Sequence, residues 1–291
     1  MNFHKTIGHE KQKEIFRHLA ENQNLAHAYA LVGPENIGKT TFAIDLAEGL
    51  GVNPTLDLFV FDSELGLSIE QARILQRRLS RTAAVSPFKV AIVSNAERMS
   101  GEAASALLKI LEEPPRDSII FLTTANFYSL LPTIASRLQR VNFSVSNRAE
   151  LEEALKAFGL ETRKFSEIAD FAGGRVGLAK TIASSEEVYN FAVASAGYYQ
   201  ILKDGNLTDR LQTAEKLAVL EPQDIEKFVR FAMQQWVGDA ASAALGRKLL
   251  RVLSDLRFNL NTKLLMANLF LPLTLPSPSP RFGEAGARGE A

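Results

Sequence analysis

Residues Gly33, Pro34, Glu35, Asn36, Ile37, Gly38, Lys39 and Thr40 follow the spacing GxxxxGK[ST], with Thr41 next in line. That spacing does phosphate chemistry. Backbone amides of the loop and of the helix start surround phosphate oxygens, the lysine meets the β and γ phosphates, and the hydroxyl ligates magnesium. The run His27-Ala-Tyr-Ala-Leu-Val32 before it has strand length, and Phe42, Leu46 and Leu50 after it give a helical stripe. The order strand, glycine loop, helix is the context the mechanism requires, so a P-loop able to hold a nucleotide's phosphates is expected.

Hydrolysis needs a further pair of acids at the end of a second apolar strand, one for the metal and one to polarise water. The strand Lys89 to Val93 ends instead in Ser94 and Asn95, neither of which is a base or offsets the charge of a metal. Glu97 lies two residues beyond, on a chain turning into a loop, and reaches the site only by an unusual path. The expectation is ATP binding without hydrolysis, with magnesium left open.

Arg73, Arg77 and Arg81 recur at four-residue spacing with Arg78 beside them. On a helix they form a basic ridge able to touch DNA phosphates; a solvated charged face is the plainer account. The four histidines, His4, His9, His18 and His27, have no metal-site spacing, and the chain has no cysteine. Thiolate zinc sites, disulfides and cysteine nucleophiles are thereby excluded, and no metal site is read from the residues.

The elements that must position these residues alternate through the first half. Helices are expected over His9 to Asn22, after the glycine loop, over Ser68 to Arg81 with a Ser68/Gln71 capping box, and over Gly101 to Glu112. Strands are expected at Leu58 to Phe61, Lys89 to Val93 and Ile119 to Thr123. Such alternation predicts an α/β fold with a doubly wound parallel sheet, a P-loop domain over residues 1–145. From Asn147 onward helical stripes take over, at Leu151 to Phe158, Phe165 to Ala172, Leu178 to Ile182, Leu211 to Leu217, Ile225 to Trp236 and Ala243 to Leu271. Gly173 and Gly174 and the polar stretch near Ala183 to Glu187 divide them into a small helical lid, 146–186, and an all-helical domain, 187–271. The Pro- and Gly-rich stretch 272–291 is read as a disordered low-complexity tail.

With 291 residues, 46% hydrophobic, the chain has material for two or three cores, and 33 basic residues against 33 acidic ones give no bulk pull toward nucleic acid. The start has no apolar signal core and no stretch approaches the ~20 residues of a membrane span. A cytoplasmic protein without membrane contact is expected.

Three blocks, HAYALVGPENIGKTTFA, KVAIVSNAERMSGEAASALLKILEEPP and FLTTANFYSLLPTIASRLQ, resemble in order and separation those of the delta-prime family of bacterial DNA-polymerase clamp loaders, which are AAA+ P-loop proteins. The likeness covers most of residues Phe3 to Ala179, and the LLKxLEEPP block at Leu107 to Pro115 is its most specific part. The helical remainder resembles that family's collar more weakly. The resemblance implies a hetero-oligomeric stator that works beside motor subunits (tau/gamma) and a delta subunit on the sliding clamp and primed DNA. It also implies that Ser136 and Arg137, matching a Ser-Arg-Cys motif, offer Arg137 in trans as an arginine finger to a neighbour's ATP. Three departures stand out. Gly51 to Leu67 occupies the place of a four-cysteine zinc module, so no zinc is carried over. Val176 stands where hydrolysing relatives tend to have a sensor arginine, with Arg175 adjacent; Leu138 replaces the motif's cysteine, a packing change. An autonomous ATP-hydrolysing motor of the same loader is the main alternative and needs an acid at 94 or 95. A small-molecule P-loop kinase leaves the helical C-terminal third unexplained.

Overall fold

A computed structural model describes residues 2–63, 66–157, 164–238, 243–256 and 261–271. The expected tail at 272–291 lies outside the described residues. The chain divides into two compact units, residues 1–189 and 190–291.

In the first unit the order is α1 (Glu10–Glu21), β1 (Ala28–Val32), α2 (Lys39–Gly49), β2 (Leu58–Phe61), α3 (Ile69–Leu79), β3 (Lys89–Val93), α4 (Gly101–Glu112), β4 (Ser118–Thr124), α5 (Pro132–Ala135) and β5 (Gln139–Asn142). The strands form one parallel sheet in the order β2-β3-β4-β1-β5. Every residue of β1, β3 and β4 is buried, so both faces are covered and the strands are built round continuous apolar runs, such as Val90 to Val93 and Ile119 to Leu122, rather than alternating ones. One face carries Phe16 of α1 and Phe42, Ala43, Leu46 and Ala47 of α2. The other carries Ala72, Leu75 and Leu79 of α3 with Ala103, Leu107, Ile110 and Leu111 of α4. Aromatic contacts fix the first face: Phe16 meets Tyr29 edge-on at 5.0 Å and Tyr29 stacks on Phe121 at 5.5 Å.

Two features of this unit depart from the sequence reading, and one expected feature is found. The edge strand β5 was not expected, because Gln-Arg-Val-Asn has one apolar residue and buries only Val141. Helix α3 stops at Leu79, two residues before Arg81, where the buried amine of Lys89 donates to the carbonyls of Leu79 and Arg81 and so completes the helix end. The expected capping box at its start is present, Gln71 N donating to Ser68 Oγ and Ser68 N to Gln71 Oε1.

The start of the cysteine-free segment that follows α2, residues 51–63, is organised by side-chain oxygen. The buried Asp57 carboxylate accepts from the backbone N–H of Ala84 at 2.8 Å and of Val85 and Ser86 at 3.1 Å. Ser86 Oγ in turn accepts from Asn53 N at 2.8 Å. Burial alone would raise the Asp57 pKa; the N–H of Ala84, the Ser86 hydroxyl and the N–H groups of Val85 and Ser86 outweigh it and hold the carboxyl below its ordinary value.

Three further helices complete the unit, α6 (Arg148–Ala157), α7 (Phe165–Ala172) and α8 (Val176–Ser184), packed on one another. Helix α9 (Glu186–Asp204) runs through the division between the units. It was not expected: its buried positions Ala192, Ser195, Tyr199 and Leu202 have helical spacing, but small and polar residues make up half of them. The second unit holds α10 (Leu207–Ala218), α11 (Pro222–Gly238), α12 (Ala243–Leu256) and α13 (Thr262–Phe270). The stripe read as one helix over 243–271 is therefore two, and Asn261 caps the second by accepting from Leu264 N. Phe228 stacked on Phe270 at 6.3 Å joins α11 to α13.

Candidate P-loop site and exposed arginine

The glycine loop lies between the end of β1 and the start of α2, beside the ends of β4 and β5. This places it at the carboxyl ends of parallel strands, where open α/β sheets bind ligands. Gly33 is sterically required, since a Cβ there would sit 2.4 Å from the Phe143 carbonyl oxygen. Gly38, at φ 98°, makes the left-handed turn that aims the first amides of α2 into the loop.

Lys39 Nζ donates to the carbonyls of Gly33 and Pro34, each at 2.6 Å. Burial pulls its pKa down to about 8, against the carboxylates of Glu97 and Glu35, which raise it. The Thr40 hydroxyl is 3.0 Å from Ser94 Oγ. Glu35 pairs with Arg98 at 2.9 Å, and Thr41 is exposed. The rim is closed by backbone contacts: Leu178 N of α8 donates to Asn36 O at 3.3 Å, and His9 Nε2 donates to Ile37 O at 2.8 Å. Because a carbonyl only accepts, His9 carries its proton on Nε2 here.

The lysine, the hydroxyl and the helix start fit a phosphate chain. The metal is less well served. Ser94 follows β3 and meets Thr40, so a hydroxyl stands where a carboxylate would hold magnesium. Among the described residues no group of three or more His, Cys, Asp or Glu is placed to hold an ion. Asn95 leaves the site altogether: its φ of 52° turns the chain and its amide donates to Ser63 O at 2.9 Å. Glu97 Oε1 comes back to accept from Ala125 N at 3.1 Å, and its buried Oε2 has no hydrogen-bond partner.

Arg137 follows α5. Its Nη1 donates to Thr133 O at 2.8 Å and to Ser136 Oγ at 3.3 Å, and its Nη2 to Glu112 Oε1 at 2.9 Å. The side chain remains 36% exposed. Ser136 Oγ donates to Thr133 O, and Leu138 packs partly buried against the α3/α4 core. Arg73 and Arg77 of α3, with Glu70, Ile74 and Gln76, line one open surface depression, which Arg81 does not share. Arg78 lies over the Phe59 ring at 5.1 Å. Arg175 donates from Nε to Ala172 O at 2.9 Å.

Sequence reading missed His9 on the loop, Glu112 on Arg137 and Ala125 under Glu97, all contacts across many residues. For Glu112 a signal existed, since it lies in the LLKxLEEPP block that carries the resemblance.

The sheet order, the P-loop after β1 and the helices that follow define an AAA+ type P-loop fold. Within that class the chain resembles the delta-prime subunit of bacterial DNA polymerase III. Residues 53–147 match the family described as "DNA polymerase III, delta subunit". The chain is 34% identical over 158 residues to DNA polymerase III subunit delta' of Bacillus subtilis, covering 46% of this chain and 47% of the relative. It is 33% identical over 151 residues to the delta' subunit of Pseudomonas aeruginosa, covering 43% and 45%. The match thus spans about half the length of these curated relatives. In fold it is similar to a DNA polymerase III gamma subunit-related protein of Thermotoga maritima, with a TM-score of 0.56 at 22% identity over 88% of this chain and 97% of that one. Among the described residues no helix is long and apolar enough to cross a membrane.

Proposed function

We propose that this chain is a cytoplasmic stator subunit of the DNA polymerase III clamp loader, binding ATP without turning it over and supplying Arg137 to a neighbouring ATPase subunit. The observation that carries this reading is the 3.0 Å contact between Thr40 and Ser94, a hydroxyl pair where hydrolysis needs a carboxylate. Gly33 to Thr41 hold the phosphates, with Lys39 freed from the carbonyls of Gly33 and Pro34 to meet them. Magnesium, if recruited with the nucleotide, meets the Thr40 and Ser94 hydroxyls. The partners are the tau/gamma motor subunits and the delta subunit, acting on the sliding clamp and primed DNA. Residues 146–186 form the lid and 187–271 the collar. Leu207, Leu211, Leu250 and Leu264, exposed on α10, α12 and α13, supply apolar surface for that assembly. Of the ridge Arg73, Arg77 and Arg81, the two arginines that lie on α3, Arg73 and Arg77, are the ones we assign to template phosphates in the assembled loader.

The purified chain should show no ATPase activity above background, with or without primed DNA. Turnover that vanishes in Lys39→Ala would favour the second reading, an autonomous ATP-hydrolysing motor. What supports that reading is Glu97, whose charge acts on Lys39 and whose buried oxygen has no partner.

Nucleotide affinity should also report Lys39. Its free pKa is about 8, and contact with phosphate raises it, so binding takes up a proton above that pH. Affinity should be flat below about pH 8 and fall above it by up to about tenfold per pH unit. Competition with a fluorescent ATP analogue from acidic to alkaline buffer measures this. A flat profile through the alkaline range counts against Lys39 as the phosphate ligand.

A further inference from the structure

We propose that Glu112 is the positioning residue for Arg137, holding its guanidinium in one rotamer for delivery to a neighbour's phosphate. The inference rests on the trans-arginine reading above and extends it to a residue 25 positions away in sequence. An arginine side chain has many rotamers, and one that acts across an interface must be found in the productive rotamer often. Here three acceptors of the same chain fix it. Thr133 O and Ser136 Oγ take Nη1, and Glu112 Oε1 takes Nη2 at 2.9 Å. The two local acceptors come from α5 and its end, so they turn with the arginine if that short helix shifts. Glu112 is different. It closes α4, whose Ala103, Leu107, Ile110 and Leu111 are locked into the core of the sheet, and so it ties the guanidinium to the rigid part of the domain. Pro114 and Pro115 follow and stop the helix there, which fixes the carboxylate's place.

The arrangement leaves donors to spare. A guanidinium has five N–H groups. The Nε–H and one Nη2–H have no acceptor among the described residues, and these can meet a phosphate oxygen while Glu112 keeps its bond. A carboxylate also suits the position better than a neutral acceptor, because charge assistance shortens and strengthens the bond.

The experiment is a double-mutant cycle in the assembled loader, with the other ATPase interfaces inactivated through their own P-loop lysines. Only the interface facing Arg137 then turns over. Glu112→Ala should lower kcat roughly three- to fivefold, the scale of an exposed ion pair, with KM unchanged. Glu112→Gln, which keeps an acceptor oxygen, should recover part of the loss. In the Arg137→Ala background, Glu112→Ala should cost nothing more. The proposal is overturned if Glu112→Ala slows the Arg137→Ala complex by the same factor again, which marks a structural role, or if it leaves kcat untouched while Arg137→Ala reduces it. A rate unchanged by Arg137→Ala itself overturns the trans-arginine reading instead, and this inference with it.

Discussion

Arg137→Ala should leave the chain folded and incorporated, yet slow ATP hydrolysis at the one interface it faces by about 10³-fold or more. Folding survives because the lost ion pair with Glu112 is exposed on both sides, and such pairs contribute about 1 kcal/mol or less. The chemistry suffers because a phosphoryl-transfer transition state spreads charge over γ-phosphate oxygens, and a planar, permanently charged fork stabilises it at no reorganisation cost. The other ATPase interfaces of the proposed loader keep working, so total ATPase should drop only in part while clamp loading falls further. Arg137→Lys should rescue poorly, since an ammonium keeps the charge and loses the fork. Single-turnover hydrolysis and clamp-loading rates on primed DNA measure both effects. Unchanged rates would make Arg137 an ordinary surface residue.

Asp57→Ala should destabilise the first unit by about 2–4 kcal/mol, because three backbone N–H groups lose their acceptor in a buried setting. The segment 51–67 has no metal-binding cysteines to fall back on. The pH dependence has a definite sign. The folded pKa lies below the ordinary carboxylate value of 3.8, so the stabilisation is fully present above that value and disappears as pH falls through the lower, folded pKa. The stability gap between wild type and Asp57→Asn should thus be constant near neutrality and close only in strong acid. Denaturant unfolding at several pH values measures it. A gap that already narrows near neutral pH would show that the carboxylate is not held in its ionised form.

The sheet and the P-loop were legible because their signals are local. Buried strands such as Val90 to Val93 are apolar throughout, and the Ser68/Gln71 box announces α3 within four residues. The rest was hidden for identifiable reasons. β5 is a polar edge strand held by its neighbour, since Val141 and the register with β1 carry it, not its own pattern. α9 buries Ala and Ser along with Tyr and Leu, too weak a stripe to see. At the site, residue types told which groups were present and which were missing at 94 and 95. They did not tell that Asn95 would turn left-handed and bring Glu97 back toward β4, because that depends on backbone geometry. Nor did they tell that Lys89 would end α3 short of Arg81, which removes one arginine from the expected ridge.

The left-handed turn at Asn95 also makes a strand-end acid pair hard to build at 94 and 95. Asparagine tolerates φ of 52° and uses its amide on Ser63. Asn95→Glu places a residue with no such tolerance there, at a cost of roughly 1–2 kcal/mol, and forfeits the amide bond. Ser94→Asp alone sets a new carboxylate against Thr40 with no second acid to work beside it. Each single step is thus unrewarded, and the turn acts as a barrier: a strand-end acid pair at 94 and 95 takes two coordinated substitutions and a change of backbone.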